Sequence, residues 1–301
     1  MQAADTARRV AITIDDGPVD DPSRDLATFQ KITDGLIGSL KAENVPATIF
    51  INERKLNVPG QRDGRAAVLE QWLDAGFDLG NHTYAHPSAN RVPIWRFQDD
   101  IMRGEIIMRP LIEARGRKLV WFRWPFLNSG TTAEDHQAIL DFLERRQYRV
   151  APITVDYKDY MFADAFTREL RAGHADLAEK AKKEYLDFVE PGFENAEKAS
   201  RDIYGREISQ ILLIHCSDLN SQTLRQSIAN MRRRGYSFVT LEGAMQDPAY
   251  QRPDSFVGSG GSWLDRSAIA LNKPHPEGME RRVPDWINPP TPPRKNGQKK
   301  Q

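Results

Sequence analysis

Cys216 is the only cysteine in 301 residues, which excludes an internal disulfide and a structural zinc site built on several thiolates. An excess of charge is missing too. Lys plus Arg and Asp plus Glu stand at 42 each, so no electrostatic attraction to nucleic acid or an anionic membrane is implied. The longest apolar runs, such as Ile211 to Ile214, fall far short of the roughly 20 residues of a membrane span. The chain does not open with a basic region followed by an apolar segment. It has no Gly-x-Ser-x-Gly nucleophile elbow and no phosphate-binding glycine-rich loop, which argues against a serine hydrolase or a nucleotide enzyme. No internal repeat is visible. What remains is a globular chain expected to act on a neutral substrate, with no nucleic-acid partner, no membrane insertion and no obligate protein partner.

Short β-branched runs alternate with longer amphipathic segments, the pattern of repeated βα units around a mainly parallel sheet or barrel. Strands are predicted near Val10 to Asp15, Ala47 to Asn52, Asp78 to His82, Leu119 to Trp124, Val150 to Asp156, Ile211 to His215 and Ser237 to Thr240. One helix is expected from Pro93 to Arg115, with Phe97, Ile101, Met108 and Ile112 on one stripe and Gly116 as its C-cap. A second runs from Ala133 to Arg146, with Ile139, Leu140 and Leu143 facing inward. Residues 1–8 form an extension and 9–250 the α/β body. Within that body an insertion near 166–207 reads as two surface helices broken at Pro191-Gly192. Residues 251–301 read as irregular, ending in a Pro- and Lys-rich tail from Val283 that cannot form a core. Only eight residues precede the first strand, which suits a secreted or periplasmic chain whose export signal has been removed.

The chemistry lies in position. Asp15-Asp16, His82, Arg123, Asp156 and His215 each fall at or just past the C-terminal end of a predicted strand, the face on which parallel barrels assemble active sites. His82 and His86 are spaced one helical turn apart. With the Asp15-Asp16 pair they offer one carboxylate and two imidazoles to a divalent cation, leaving a second carboxylate to deprotonate water. Each motif also has a plain alternative. Asp15-Asp16-Gly17-Pro18 fits an ordinary turn after a strand, and His215 fits a hydrogen-bonded core histidine. Arg123, set between Phe122 and Trp124, requires a carboxylate if buried, and Asp156 or Asp159 could supply it. Cys216 follows His215 directly, so their side chains diverge and no dyad forms. His136, His174 and His275 are assigned no role.

Taken in order, these residues resemble the polysaccharide deacetylases of carbohydrate esterase family 4, the NodB-homology family, over roughly Arg9 to Asp247. Thr13-Ile14-Asp15-Asp16-Gly17 resembles the first family motif, with Ile14 for the usual aromatic residue. His82-Thr83-Tyr84-Ala85-His86-Pro87 matches the second. Arg123-Trp124-Pro125-Phe126 resembles the third, with Phe for Tyr. Asp156-Tyr157-Lys158-Asp159-Tyr160 approximates the fourth, with Tyr160 for Trp, and Leu212-Leu213-Ile214-His215 stands for the fifth.

The resemblance implies a distorted, incomplete (β/α) barrel of about seven parallel strands. It makes Asp16, His82 and His86 the metal ligands, Asp15 the general base and His215 the acid. It also implies that Arg123 orients Asp15, that Asp159 holds Arg123, and that the Phe126 N–H stabilises the oxyanion. Leu212 and Ile214 would surround the acetyl methyl. Tyr84, Trp124, Pro125, Phe126 and Tyr160 would contact the sugar, with Tyr157 a further stacking candidate. Zinc is the expected metal, with cobalt or manganese as alternatives. The expected reaction is removal of acetyl groups from an N-acetylated glycan. The same site acting on O-acetyl esters or small amides, and a non-catalytic carbohydrate-binding protein, are the alternatives.

Overall fold

A computed structural model of the chain describes residues 8–279 and 281–289. Its β-branched runs form eight strands: β1 (Arg9–Gly17), β2 (Ala47–Ile51), β3 (Asp78–Asn81), β4 (Trp121–Phe122), β5 (Arg149–Val150), β6 (Val155–Asp156), β7 (Gln210–His215) and β8 (Ser237–Phe238). All pairings are parallel, in the order β5-β4-β3-β2-β1-β7-β6, and β8 joins the first two residues of β1. The central strands carry Val10, Ile12, Ile14, Ile49, Ile51, Ile211 and Ile214, all buried. Near-continuous apolar sequence is what a strand needs when both of its faces are covered.

The expected strand from Val150 to Asp156 is instead two. β5 pairs with β4 at one edge of the sheet and β6 pairs with β7 at the other, although only residues 151–154 separate them. The sheet therefore curls until its two edges meet, and chain connectivity closes the barrel. Among the described residues no ladder joins β5 to β6. The result is the distorted, incompletely bonded (β/α) barrel expected from the sequence.

The helices depart from expectation in three places. The segment from Pro93 to Arg115 is two helices, Ile94–Arg103 and Met108–Glu113. The buried carboxylate of Glu53 accepts the N–H groups of Ile107 and Met108 and so starts the second one. Between them Gly104 packs against the backbone of Thr83, where a Cβ would lie 2.7 Å from a carbonyl carbon.

The insertion also divides elsewhere. Its helices are Asp159–Arg171 and Ala175–Tyr204, and the second runs unbroken through Pro191. Gly192 lets the ring of Tyr157 approach, and the helix buries Tyr185, Phe188, Val189 and Phe193, so it is core and not surface.

The C-terminal segment is likewise packed. Ser262 and Asp265 form a capping box that starts the helix Trp263–Ala270. Trp263, Leu264, Val283 and Ile287 are buried. The tail beyond residue 289 lies outside the described residues.

Candidate active site

Neighbouring residues on a strand normally point to opposite faces, yet Asp15 and Asp16 both line one pocket. A register shift between Ile14 and Gly17 explains it. Three steps along β1 span two along β2, and Asp16 takes φ +62. This bulge turns both carboxylates into the same space.

His82 follows β3 directly. The loop after it is irregular, so the expected helical turn between the two histidines does not exist; Thr83 at φ +67 and His86 at φ +58 fold the chain back instead. Side chains fix this strained path: Asn81 accepts from the Thr83 N–H, Thr83 Oγ1 from the His86 N–H, and Asp100 from the Ala85 N–H.

The pocket has a volume of about 470 Å³. At its base, one ligand atom each from Asp16, His82 and His86 falls within 4.8 Å of the others. His82 Nδ1 meets the Arg123 carbonyl at 2.9 Å, so it carries the hydrogen and Nε2 keeps a lone pair. That lone pair faces His86 Nε2 at 3.2 Å. Burial lowers the pKa of both imidazoles, His82 well below its ordinary value. Burial alone would raise Asp16, but Lys55 and His86 outweigh it and hold the carboxylate well below its usual range. Two neutral imidazoles and one carboxylate, with lone pairs converging, are a donor set that fits a divalent cation.

Asp15 lies beside them. Its Oδ2 is 3.5 Å from Arg123 and 3.8 Å from His82 Nε2, while its buried Oδ1 has no hydrogen-bond partner. Burial pushes its carboxyl up to about 6 against the pull of Arg123 and His215. Arg123 is fully buried, donates to Thr13 Oγ1 at 3.0 Å and lies over the Phe50 ring. Across the pocket, His215 Nδ1 donates to Asp159 Oδ1 at 2.8 Å. Burial disfavours the imidazolium, yet Asp159 raises its pKa to about 10.

Several expected positions move. Asp159 pairs with His215 and not with Arg123, because it opens the helix beside the end of β7. Leu213 faces the pocket; Leu212 and Ile214 alternate to the other face, since His215 fixes the strand's parity. Tyr84 turns away beneath the Arg103 guanidinium, and Pro125 is buried off the pocket. Tyr157 is core, packed on Tyr185 and Phe193.

Trp124 lines the wall, and the exposed rings of Phe126 and Tyr160 stand edge-on to His86 and His215. Leu127, Gly260 and Gly261 complete the pocket. Nothing local in the sequence marks these three residues or Lys55 as part of a site; Leu213 alone carries a signal, lying two residues before His215. His136, assigned no role, is buried and bridges the Ser129 and Asp254 carbonyls.

A parallel barrel that collects carboxylates and imidazoles at its strand ends defines an enzyme-type scaffold. The polysaccharide deacetylase family profile matches residues 2–144. Over 247 residues the chain is 27% identical to the peptidoglycan-N-acetylglucosamine deacetylase PgdA of Listeria monocytogenes, covering 79% of this chain and 39% of that protein. Over 103 residues it is 33% identical to the peptidoglycan-N-acetylglucosamine deacetylase of Bacillus cereus, covering 34% and 31%. The chain thus spans well under half the length of these relatives.

Among solved structures, peptidoglycan deacetylase PdaC from Bacillus subtilis superposes with a TM-score of 0.51 at 20% identity, covering 80% of this chain and 93% of that one. A CE4 family pseudoenzyme from Bacillus anthracis gives 0.52 at 17%, covering 83% and 68%. These two likenesses concern the fold. The profile match, the deacetylase relatives and the shared barrel together support a polysaccharide deacetylase domain of the NodB-homology type. No helix among the described residues is long and apolar enough to cross a membrane.

Proposed function

We propose that this chain is a metal-dependent hydrolase that removes acetyl groups from N-acetylated sugars in a chitin- or peptidoglycan-like polymer or oligomer. One observation carries the reading: Asp16, His82 and His86 converge beside the unpartnered Oδ1 of Asp15. Those three residues would hold a divalent cation, zinc before cobalt or manganese, which when bound would lower the pKa of water and polarise the acetyl carbonyl.

Asp15 takes the proton of the attacking water on its free oxygen. Arg123 keeps that base aimed, and the Phe126 N–H serves as a donor to the developing oxyanion. His215, held through Nδ1 by Asp159, delivers a proton from Nε2 to the leaving nitrogen. The C–N bond breaks to acetate and free amine. Phe126 and Tyr160 offer exposed apolar faces to the sugar ring, whereas Trp124 is buried between Phe97 and His136 and backs the wall; Leu213 offers a face to the acetyl methyl. Glycans of this kind lie outside the cytoplasm, so we place the protein there.

The test is acetate release from N-acetylglucosamine oligomers by the chelated protein, before and after one equivalent of Zn²⁺ is returned. Metal-restored release supports the reading; release that ignores chelation removes it. Asp16→Asn or His82→Ala is expected to abolish bound metal and turnover together. A second reading, O-acetyl esters or small amides as substrates, is favoured by the wall that Gly260 and Gly261 add to the pocket. Acetylated xylan and small amides in the same assay separate the two. Glycan binding without acetate release from any substrate would instead point to a non-catalytic role.

A further inference from the structure

We infer that Lys55 is a positioning residue that sets how tightly the Asp16–His82–His86 site holds its cation, an inference that rests on the metal reading above. The Lys55 ammonium lies 3.2 Å from Asp16 Oδ1, the same oxygen that faces His86 at 3.8 Å. It also donates to the Asp16 backbone carbonyl at 2.8 Å. A cation taken up on Oδ1 shares that oxygen with a charge already there, and one on Oδ2 still meets a carboxylate that the ammonium partly neutralises.

The placement is built. Lys55 sits in the short turn Glu53–Leu56 after β2, with its side chain only 11% exposed. Asn52 Nδ2 donates to the His82 carbonyl and the Arg54 N–H to the Tyr84 carbonyl, which ties the turn to the histidine loop. Behind it the buried Arg65 guanidinium donates to the carbonyls of Lys55, Pro22 and Arg24. The backbone that carries Lys55 is thus fixed on both sides, which keeps its ammonium within reach of Asp16.

Two consequences oppose each other. The double contact on Asp16 holds its left-handed backbone, which preorganises one ligand. The ammonium also neutralises part of the only anionic ligand and repels a divalent ion at close range. The repulsion acts on every bound cation, whereas the bulge and its pairing with β2 already fix most of the Asp16 backbone. The net effect of Lys55 is thus to weaken metal affinity. A less neutralised ion is left as the stronger polariser of water and carbonyl.

The experiment uses the full chain stripped of metal, with Zn²⁺ affinity read by competition against a chromophoric chelator. Lys55→Met and Lys55→Gln are expected to bind Zn²⁺ about tenfold tighter than the parent, or 1.4 kcal/mol. Lys55→Arg, which keeps the charge, is expected to stay near the parent value. Equal or weaker binding by both neutral variants overturns the inference, as does tightening in Lys55→Arg equal to theirs. If no variant binds Zn²⁺, the metal reading falls and this inference with it. The two failures are therefore distinguishable. Thermal unfolding of each variant confirms that a folded protein is being titrated, and either neutral variant suffices if the other does not fold.

Discussion

Asp159 grips His215 twice, accepting from its ring Nδ1 at 2.8 Å and from its backbone N–H at 2.7 Å. Asn220 braces the same carboxylate, and Tyr185 in turn donates to Asn220. The proposed acid is thus oriented by Asp159, the residue that the family resemblance assigns to Arg123. Replacing Asp159 with Asn removes the charge that sustains the imidazolium. Turnover at neutral pH is expected to fall by about 10²-fold or more, with Zn²⁺ affinity nearly unchanged. Loss of metal along with turnover would assign Asp159 to the ligand set instead.

The pH profile follows from the same pair and from Asp15. The base works when deprotonated, so activity declines as pH falls through the Asp15 pKa, which burial raises to about 6. The acid works when protonated, so activity declines as pH rises through that of His215, near 10. A bound cation favours carboxylate over carboxyl and imidazole over imidazolium, so both limbs lie lower in the loaded protein. A kcat/KM profile with two limbs is expected, and Asp15→Asn should lose the acid limb with most of the rate. An acid limb that persists in Asp15→Asn would give the base role to another group.

Gly104 gives a test of loop geometry. A methyl group there meets the Thr83–Tyr84 backbone below 3 Å, and neither neighbour is a flexible side-chain tip. Gly104→Ala is expected to cost about 1–3 kcal/mol of stability and to weaken Zn²⁺ binding, because the displaced segment carries His82 and His86. Chemical unfolding together with metal titration checks both. Wild-type zinc affinity in a destabilised variant would separate the loop from the site.

Arg266 ties the C-terminal segment to the loop of Phe126 and Leu127. Its guanidinium pairs with Asp254 and donates to the Leu127, Gly260 and Gly261 carbonyls. Phe126 and Leu127 are both at positive φ, and the Leu127 carbonyl is one of those that Arg266 holds. Arg266→Met is expected to destabilise the fold by about 1–3 kcal/mol and to lower kcat more than it raises KM, with Zn²⁺ affinity retained. Unchanged kcat would make the segment a bystander to the chemistry.

The groups at the strand ends were legible because their spacing against the apolar runs fixes where each strand stops. His215 likewise carries the parity that selects Leu213, although the motif alone points to Leu212 and Ile214. Other features leave no local trace. The division of the Val150–Asp156 run depends on how far the whole sheet curls, and the two halves pair with strands distant in sequence. The Gly260–Gly261 wall reaches the pocket through contacts more than a hundred residues apart, such as Gly260 with Asn128. Pro191 looks like a helix breaker, yet tertiary packing of Tyr185, Phe188 and Phe193 carries the helix through it.

The gap between β5 and β6 is a seam, and Asp15, Asp16, His82 and His215 stand away from it. Asp15 and Asp16 on β1, His82 after β3 and His215 on β7 all hang from one unbroken arc of four laddered strands, β3-β2-β1-β7. The pocket walls at Trp124 and Asp156 instead follow β4 and β6, the second strand from one sheet edge and the strand at the other. A change in the width of the seam would therefore reach the pocket through Trp124 and Asp156 before it reached Asp15, Asp16 or His82.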